Sequence, residues 1–257
     1  MWTVSDILVY RCGFAADSQI KKWYKENVNN DASQEELLEA LGREEYLAHA
    51  LGNVKTVLDE FADMFDASKM RVFLTGSGNF REQIATILPY KGNRDDLHKP
   101  KYYDAIRRYM TEIWHAEIVD GQEADDVLAM TQWAATDDST VIVSIDKDLD
   151  MIPGNHYNPV SKAFYYVGQE EADLNFFKQM LIGDRTDNIP GIDKIGEKRA
   201  ADLVVAMNYD VDRVREEVKR LYQKQYGDEW EAAYHEVGTL LWMRRSPDTP
   251  IGKVDLL

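Results

Sequence analysis

The chain has 257 residues, is 44% hydrophobic and 30% charged, and carries a formal net charge of −16. That length allows one large domain or two modest ones, and the composition is that of a globular protein with a sizeable core. No apolar run approaches the ~20 residues of a membrane span, the first ten residues lack the basic lead-in of a secretory signal, and the single cysteine, Cys12, excludes an internal disulfide and a cysteine-built zinc site.

Short apolar runs alternate with helical patterns, which predicts a parallel α/β sheet. Strands are expected over residues 4–10, 71–74, 117–119 and 141–145. Leu47, Leu51, Val54, Leu58, Phe61 and Phe65 recur at spacings of four and three, one face of an amphipathic helix. Residues 124–135 read as another helix, with Glu123, Asp125 and Asp126 at its start, where the helix dipole favours acid. After about residue 170 the pattern becomes helical, over 174–182, 197–207, 211–226 and 229–243. Residues 1–170 are thus expected to form an α/β part and 171–257 a helical part packed against it. Charge is uneven: residues 117–150 hold ten acids and one lysine, whereas residues 81–108 hold seven basic and four acidic side chains.

Three acidic motifs follow in chain order. Glu123 and Asp126 are three apart and share a helix face, with Asp125 between them. Asp146 and Asp148 follow the apolar run at 141–145, and ligands of parallel sheets bind beyond the carboxyl ends of strands. Asp184 and Asp187 end an apolar helix. Each motif alone suits a solvated turn or a helix cap. Converging at one sheet edge, their carboxylates would repel each other and hold raised pKa values unless cations neutralised them. Magnesium or manganese, held by one or two carboxylates, waters and phosphate oxygens, is the matching cation, and two such ions suit phosphodiester hydrolysis.

The most specific string runs from Ile189 to Ala200. Pro190 and Gly191 predict a tight turn, Ile192 and Ile195 anchors, and Gly196 a helix start with open backbone N–H groups. With Lys194, Lys198 and Arg199 alongside, this is a candidate site for a backbone phosphate. The five histidines show no close pairing, Cys12 reads as core, and no Walker-type glycine loop is present.

Together the strings SDILVYRCGFAAD, FREQIATILPYKGNR, DGQEADDVLA, SIDKDLDMIPG and GDRTDNIPGIDKIGEKRA resemble the 5′ nuclease superfamily. That superfamily comprises flap endonucleases, phage 5′→3′ exonucleases and the 5′ nuclease domain of bacterial DNA polymerase I. The resemblance spans Asp6 to about Ala200. It implies a PIN-like, mostly parallel central sheet flanked by helices, with a C-terminal helical region bearing a helix-hairpin-helix. It implies that Asp6, Glu123, Asp125, Asp126, Asp146, Asp148, Asp184 and Asp187 surround the metal ions. Lys91 and Arg94, in a basic arch or gateway near residues 81–108, would act catalytically on the scissile phosphate, with Arg81 assisting in DNA binding. Gly191, Ile192, Lys194, Gly196, Lys198 and Arg199 would grip duplex DNA, with a potassium ion at the hairpin.

The activity so implied is a divalent-metal-dependent 5′→3′ exonuclease or flap endonuclease in DNA replication or repair. The expected partners are DNA with 5′ ends or flaps and, as a further candidate, an RNA–DNA hybrid. The chain is expected to be monomeric, without a membrane partner, in bacterial or phage-infected cytoplasm. Val4 and Gly76 stand where the family carries aspartates, which keeps open a non-catalytic DNA-structure binder of the same fold. A ribonuclease of the PIN-like class is a third reading, disfavoured by the hairpin.

Overall fold

The computed structural model describes residues 1–42, 46–65, 70–93, 99–135, 139–246 and 248. Its centre is a six-stranded sheet in the order β3-β2-β1-β4-β5-β6, formed by Trp2–Val4, Met70–Asn79, Glu117–Gly121, Val141–Val143, Gly154–Asn158 and Ala163–Val167. The first five strands are parallel and β6 runs antiparallel to β5.

Alternating side chains sort the strands onto two cores. Val72 and Leu74 of β2 face the core shared with Leu8, Val54, Leu58, Phe61, Ile106 and Met110. Those residues come from α1 (Ile7–Asn27), α3 (Leu47–Phe65) and α5 (Tyr103–Ile113). Between α1 and α3 lies α2 (Gln34–Leu41), capped by Ser33 and Glu36. Phe73 faces the opposite way, into a core with Leu128, Ile142, Phe176, Tyr222 and Tyr234. That core joins α6 (Ala124–Ala134) to α7 (Gln169–Ile182), α9 (Val211–Tyr226) and α10 (Trp230–Leu241). The α/β and helical parts therefore share one apolar interior. The remaining helices are the short α4 (Phe80–Ile84) and α8 (Glu197–Ala206).

One expected strand is corrected. The apolar run at 4–10 is a strand only as far as Val4, and Ile7 already belongs to α1. An apolar run of that length fits a strand or a buried helix equally, and here Leu8, Val9 and Cys12 bury one face of α1.

After β1 the chain builds β2 and β3 to one side, and β4 to β6 to the other. The boundary between β1 and β4 is a topological switch point, where open parallel sheets form a crevice at their carboxyl ends. Ser5, Asp6, Glu123 and Asp146 lie just beyond those ends, and Thr75 stands where the regular β2–β3 register breaks. Among the described residues, no helix is long and apolar enough to cross a membrane.

Candidate active site at the carboxyl edge of the sheet

Asp146 leaves β4 directly and caps the short 3₁₀ helix Lys147–Met151, its carboxylate accepting from Asp148 N at 2.9 Å. Asp148 accepts in turn from the Gln179 amide on α7. Burial raises the Asp146 carboxyl above its ordinary value, and Asp184, Asp187 and Glu123 raise it further. Burial pushes Asp148 up to about 7, reinforced by Asp146 and Asp184. Asp125, in the first turn of α6, is pushed up to about 8 by burial, then by Asp146 and Glu123. Its carboxylate accepts from the Ser5 hydroxyl, while its buried Oδ1 has no partner among the described residues. Asp184 turns the chain after α7, accepting from Thr186 N at 2.7 Å and Asp187 N at 3.2 Å. These acids arrive from β4, α6 and the end of α7 at one edge and sense one another there.

Other acids at this edge are neutralised by the chain itself. Asp126 is fully buried and paired with Arg81, Nη1 to Oδ2 at 2.7 Å and Nη2 to Oδ1 at 2.9 Å. It also accepts from Glu123 N and Arg244 N, each at 3.1 Å. Asp126 is thus held between Arg81 and two backbone N–H groups. Arg81 is 1% exposed and also donates to the Leu240 and Trp242 carbonyls at 2.9 and 2.8 Å, which ties the same pair to the C-terminal end of α10. Asp6 accepts from Thr75 N at 2.7 Å and from Arg107 Nη1 at 2.8 Å. Burial, outweighing these contacts, raises its carboxyl above the ordinary value. Lys91 donates to Glu123 and lies 3.6 Å from Asp187, while its backbone N–H donates to the Asp187 carbonyl at 2.8 Å. Tyr90 places its hydroxyl 3.1 Å from Glu123 and 2.7 Å from Asp187. Arg94 lies outside the described residues.

The two departures from the expected aspartates are relocated. Val4 is completely buried in the core, and a side chain at Gly76 would collide with Asp120, its Cβ only 2.2 Å from Oδ1. The residues beside the acids are Ser5, just after β1 and bonded to Asp125, and Thr75, at the register break of β2, whose hydroxyl accepts from Ala124 N at 3.0 Å. Hydroxyls thus line the β1–β2 end of the crevice. Sequence reasoning missed Ser5, Thr75, Tyr90 and Arg107; Tyr90 was signalled only by its place beside Lys91, and Arg107 by the basic stretch that contains it.

Among the described residues, no three acidic, histidine or cysteine side chains close around one point as a ready-made cage. The donor set nevertheless suits a hard divalent ion. Magnesium needs only one or two carboxylates when water and phosphate oxygens complete its shell. The orphaned Asp125 Oδ1 and the raised carboxyls of Asp125, Asp146 and Asp148 are what an incoming cation would relieve.

A groove of about 700 Å³ runs from Asp148 and Asp184 to Ile195, Gly196 and Glu197, with Lys147, Lys178 and Arg185 along it. Its far end is the start of α8. Gly183, at φ +71°, and Gly191 press their backbones together there, since a Cβ on Gly183 would lie 2.4 Å from Gly191 N. Ile192 is buried and its N–H donates to the Leu181 carbonyl at 2.8 Å, locking the turn onto α7. Gly196 caps α8 in the open, and Lys194, Lys198 and Arg199 are exposed around it, Arg199 donating to the Lys194 carbonyl at 3.1 Å. A positive helix end with adjacent cations is an anion-binding surface.

No family model matches the chain. A DNA polymerase I from Pseudomonas aeruginosa is 30% identical over 183 residues, covering 61% of this chain and 19% of the polymerase, so the match spans about a fifth of that relative. The structure of bacteriophage T5 5′-exonuclease with bound zinc superposes with a TM-score of 0.60 at 17% identity, covering 94% of this chain and 88% of the other. A bacteriophage T5 flap endonuclease, in a pseudo-enzyme-product complex with DNA and metal ions, superposes at 0.58 with 15% identity, covering 92% and 87%. The chain has the fold of these 5′ nucleases.

Proposed function

We propose that the chain is a divalent-metal-dependent 5′ nuclease that hydrolyses DNA phosphodiesters near free or flapped 5′ ends. The carrying observation is the convergence of Asp125, Asp146, Asp148 and Asp184 at the switch point, with burial and mutual repulsion raising the first three. Such a cluster is costly for the chain alone and suited to phosphate chemistry once cations are present. The fold shared with the T5 enzymes and the similarity to a DNA polymerase I support the same reading.

Asp125, Asp146, Asp148 and Asp184 would hold magnesium or manganese, with Glu123 and Asp187 available once Lys91 turns away. A bound divalent ion would supply an activated water and charge for the leaving oxygen. Lys91 and Arg94 are assigned to the scissile phosphate, where cations stabilise developing charge. Gln179 fixes the Asp148 carboxylate and Ser5 that of Asp125. The turn at Gly191–Gly196 with Lys194, Lys198 and Arg199 would hold duplex backbone as a helix-hairpin-helix, where potassium would offset phosphate charge. We further assign the chain to replication or repair as a cytoplasmic monomer that also accepts an RNA–DNA hybrid.

A second reading, a DNA-structure binder without cleavage, is favoured by one observation. Ser5 and Thr75 present hydroxyls at the crevice, and Arg81, Arg107 and Lys91 neutralise acids beside it. Cleavage of a 5′-labelled DNA flap with magnesium, manganese or chelator, beside Asp146→Ala, decides between the two. Metal-dependent cutting that falls at least about a hundredfold in the variant supports the nuclease. Tight flap binding without cutting under any metal supports the binder.

A further inference from the structure

The two lateral edges of the sheet are built differently. At one edge, β3 carries Glu117 and Asp120, with Glu117 2.9 Å from Arg71, and its register with β2 breaks after Thr75. Charges and broken register are how natural sheets keep a further strand from adding. At the other edge, β6 has no charge, no proline and no break, and its five residues pair with β5 in unbroken register. It ends the strand order, and Ala163, Phe164, Tyr165 and Tyr166 are exposed. Alternate N–H and C=O groups of β6 therefore point away from β5, with no further strand among the described residues to receive them.

The strand is held in place by its own side chains. Tyr165 stacks on His156 at 5.2 Å and donates its hydroxyl to Asp150 at 2.8 Å. On the opposite face Phe164 meets Phe65 and Tyr157 at 5.4 and 4.5 Å yet stays 59% exposed, and Tyr166, two residues on, is 56% exposed. Tyr166 also borders a pocket of about 200 Å³, lined by Gln132, Trp133, Thr140, Pro153 and Asn155. Gln132 is 5% exposed, its amide donates to the Asn155 carbonyl at 2.9 Å, and its Oε1 has no partner among the described residues. A buried carbonyl oxygen without a donor is costly and marks a place for an incoming N–H group. Thr140 precedes β4 and Asn155 lies at the start of β5, so the pocket is at the amino end of the sheet, opposite the carboxylates.

We propose that β6 is a docking edge for an extended, basic and apolar segment of a partner protein. The segment adds antiparallel to β6, lays apolar side chains on Phe164 and Tyr166, and seats a lysine at its start in the Gln132 pocket. Main-chain hydrogen bonds supply the affinity of such an added strand and the pocket its selectivity. Charge decides the occupant. Glu170 and Glu171 are exposed just beyond Val167, at the end of β6 where the pocket lies, and the chain as a whole carries −16. The cation already facing Trp133, Arg245 at 4.7 Å, is itself paired with Asp173. A second copy of this chain would set −16 against −16. A nucleic-acid strand would bring phosphates to an acidic surface and leave the row of backbone groups unmatched.

The test titrates the full chain into a short fluorescent peptide, a pair of lysines followed by alternating valine and threonine, and reads polarisation. The wild-type protein is expected to bind it in the micromolar range, with hydrogen exchange slowed at residues 163–167 and unchanged at 117–121. Tyr166→Lys, a surface change that should leave Tm unaltered, weakens binding about tenfold, while Tyr166→Phe keeps it. Of two peptides methylated on alternate backbone amides, in one register or the other, one also binds about tenfold more weakly. Replacing the lysines by norleucine costs the wild-type protein about tenfold and Gln132→Met at least about threefold less. A wild-type protein that does not bind the peptide, both methylated peptides bound as tightly as the parent, or unchanged exchange at 163–167 overturns the docking edge. An equal norleucine cost in both proteins overturns the seating of the lysine in the pocket. No readout uses DNA or a metal, so the outcome is independent of the nuclease reading.

Discussion

Asp125 and Asp126 are neighbours in sequence and opposites in surroundings. Asp126 is wholly enclosed, both oxygens held by Arg81 and by backbone N–H groups of Glu123 and Arg244. Asp125 has an orphaned oxygen, other carboxylates around it and a carboxyl pushed up to about 8. The same contrast divides the whole edge. On one side Arg81, Arg107 and Lys91 neutralise Asp126, Asp6 and the Glu123–Asp187 pair. On the other, among the described residues, no lysine or arginine pairs with Asp125, Asp146, Asp148 or Asp184. Residue type alone does not make a metal ligand. The carboxylates that the chain leaves uncompensated are the ones suited to an added cation.

The paired side is broken most severely at Arg81. Arg81→Leu would strand a buried Asp126 charge and free the Leu240 and Trp242 carbonyls. Removing one partner of a buried ion pair costs about 3–5 kcal/mol, and urea unfolding of the variant should show a loss of that size. The double variant Arg81→Leu with Asp126→Leu should recover part of it, since an apolar pair leaves no uncompensated charge. Equal losses in the single and double variants would mean that the carbonyl contacts, not the ion pair, hold the C-terminal segment.

The uncompensated side is exposed by pH. Folded Asp125 and Asp148 titrate at about 8 and about 7, against ~4 for an unfolded aspartate, so between those values the native state binds more protons. Stability of the metal-free protein must then fall as pH rises from about 4 to 8 and level off above. The Tm in chelator is expected to fall by several degrees between pH 5 and 8. Asp125→Asn should flatten that slope, and magnesium should restore the wild-type Tm at pH 8. A Tm in chelator that is level or rising over this interval would show that the acids are not coupled as described.

This division was only half legible in the sequence. The acids could be placed because each follows an element that ends at the sheet edge, as Asp146 follows β4 and Glu123 follows β3. Their partners could not. Arg81 meets Asp126 across 45 positions and Leu240 across 159, and Arg107 meets Asp6 across 101; no local pattern encodes such pairings. The same limit hid Ser5 and Thr75, whose roles depend on which face a strand end presents. It also hid the β5–β6 hairpin, where β6 has four exposed residues and no apolar alternation to announce a strand. The first strand was misplaced for a different reason: residues 4–10 are apolar enough for either structure, and only burial of Leu8, Val9 and Cys12 along one helical face decides for α1.

Lys91 sits on the boundary between the two sides, and its replacement gives the smallest but sharpest effect. Its ammonium binds Glu123 and approaches Asp187, occupying with a monovalent charge a place that acids on the far side leave to an ion. Lys91 is partly exposed, so the pair is screened and an incoming divalent cation can compete with it. Lys91→Met keeps the length of the side chain and removes the competitor. Manganese affinity, read by calorimetry or electron paramagnetic resonance, should then rise about tenfold, equivalent to about 1.4 kcal/mol. DNA cleavage should fall, because the same variant removes a cation assigned to the scissile phosphate. Tighter metal binding with weaker cleavage is a combination that general damage to the site cannot produce. If manganese affinity falls instead, Lys91 organises the acids rather than competing for them, and the boundary belongs wholly to the paired side.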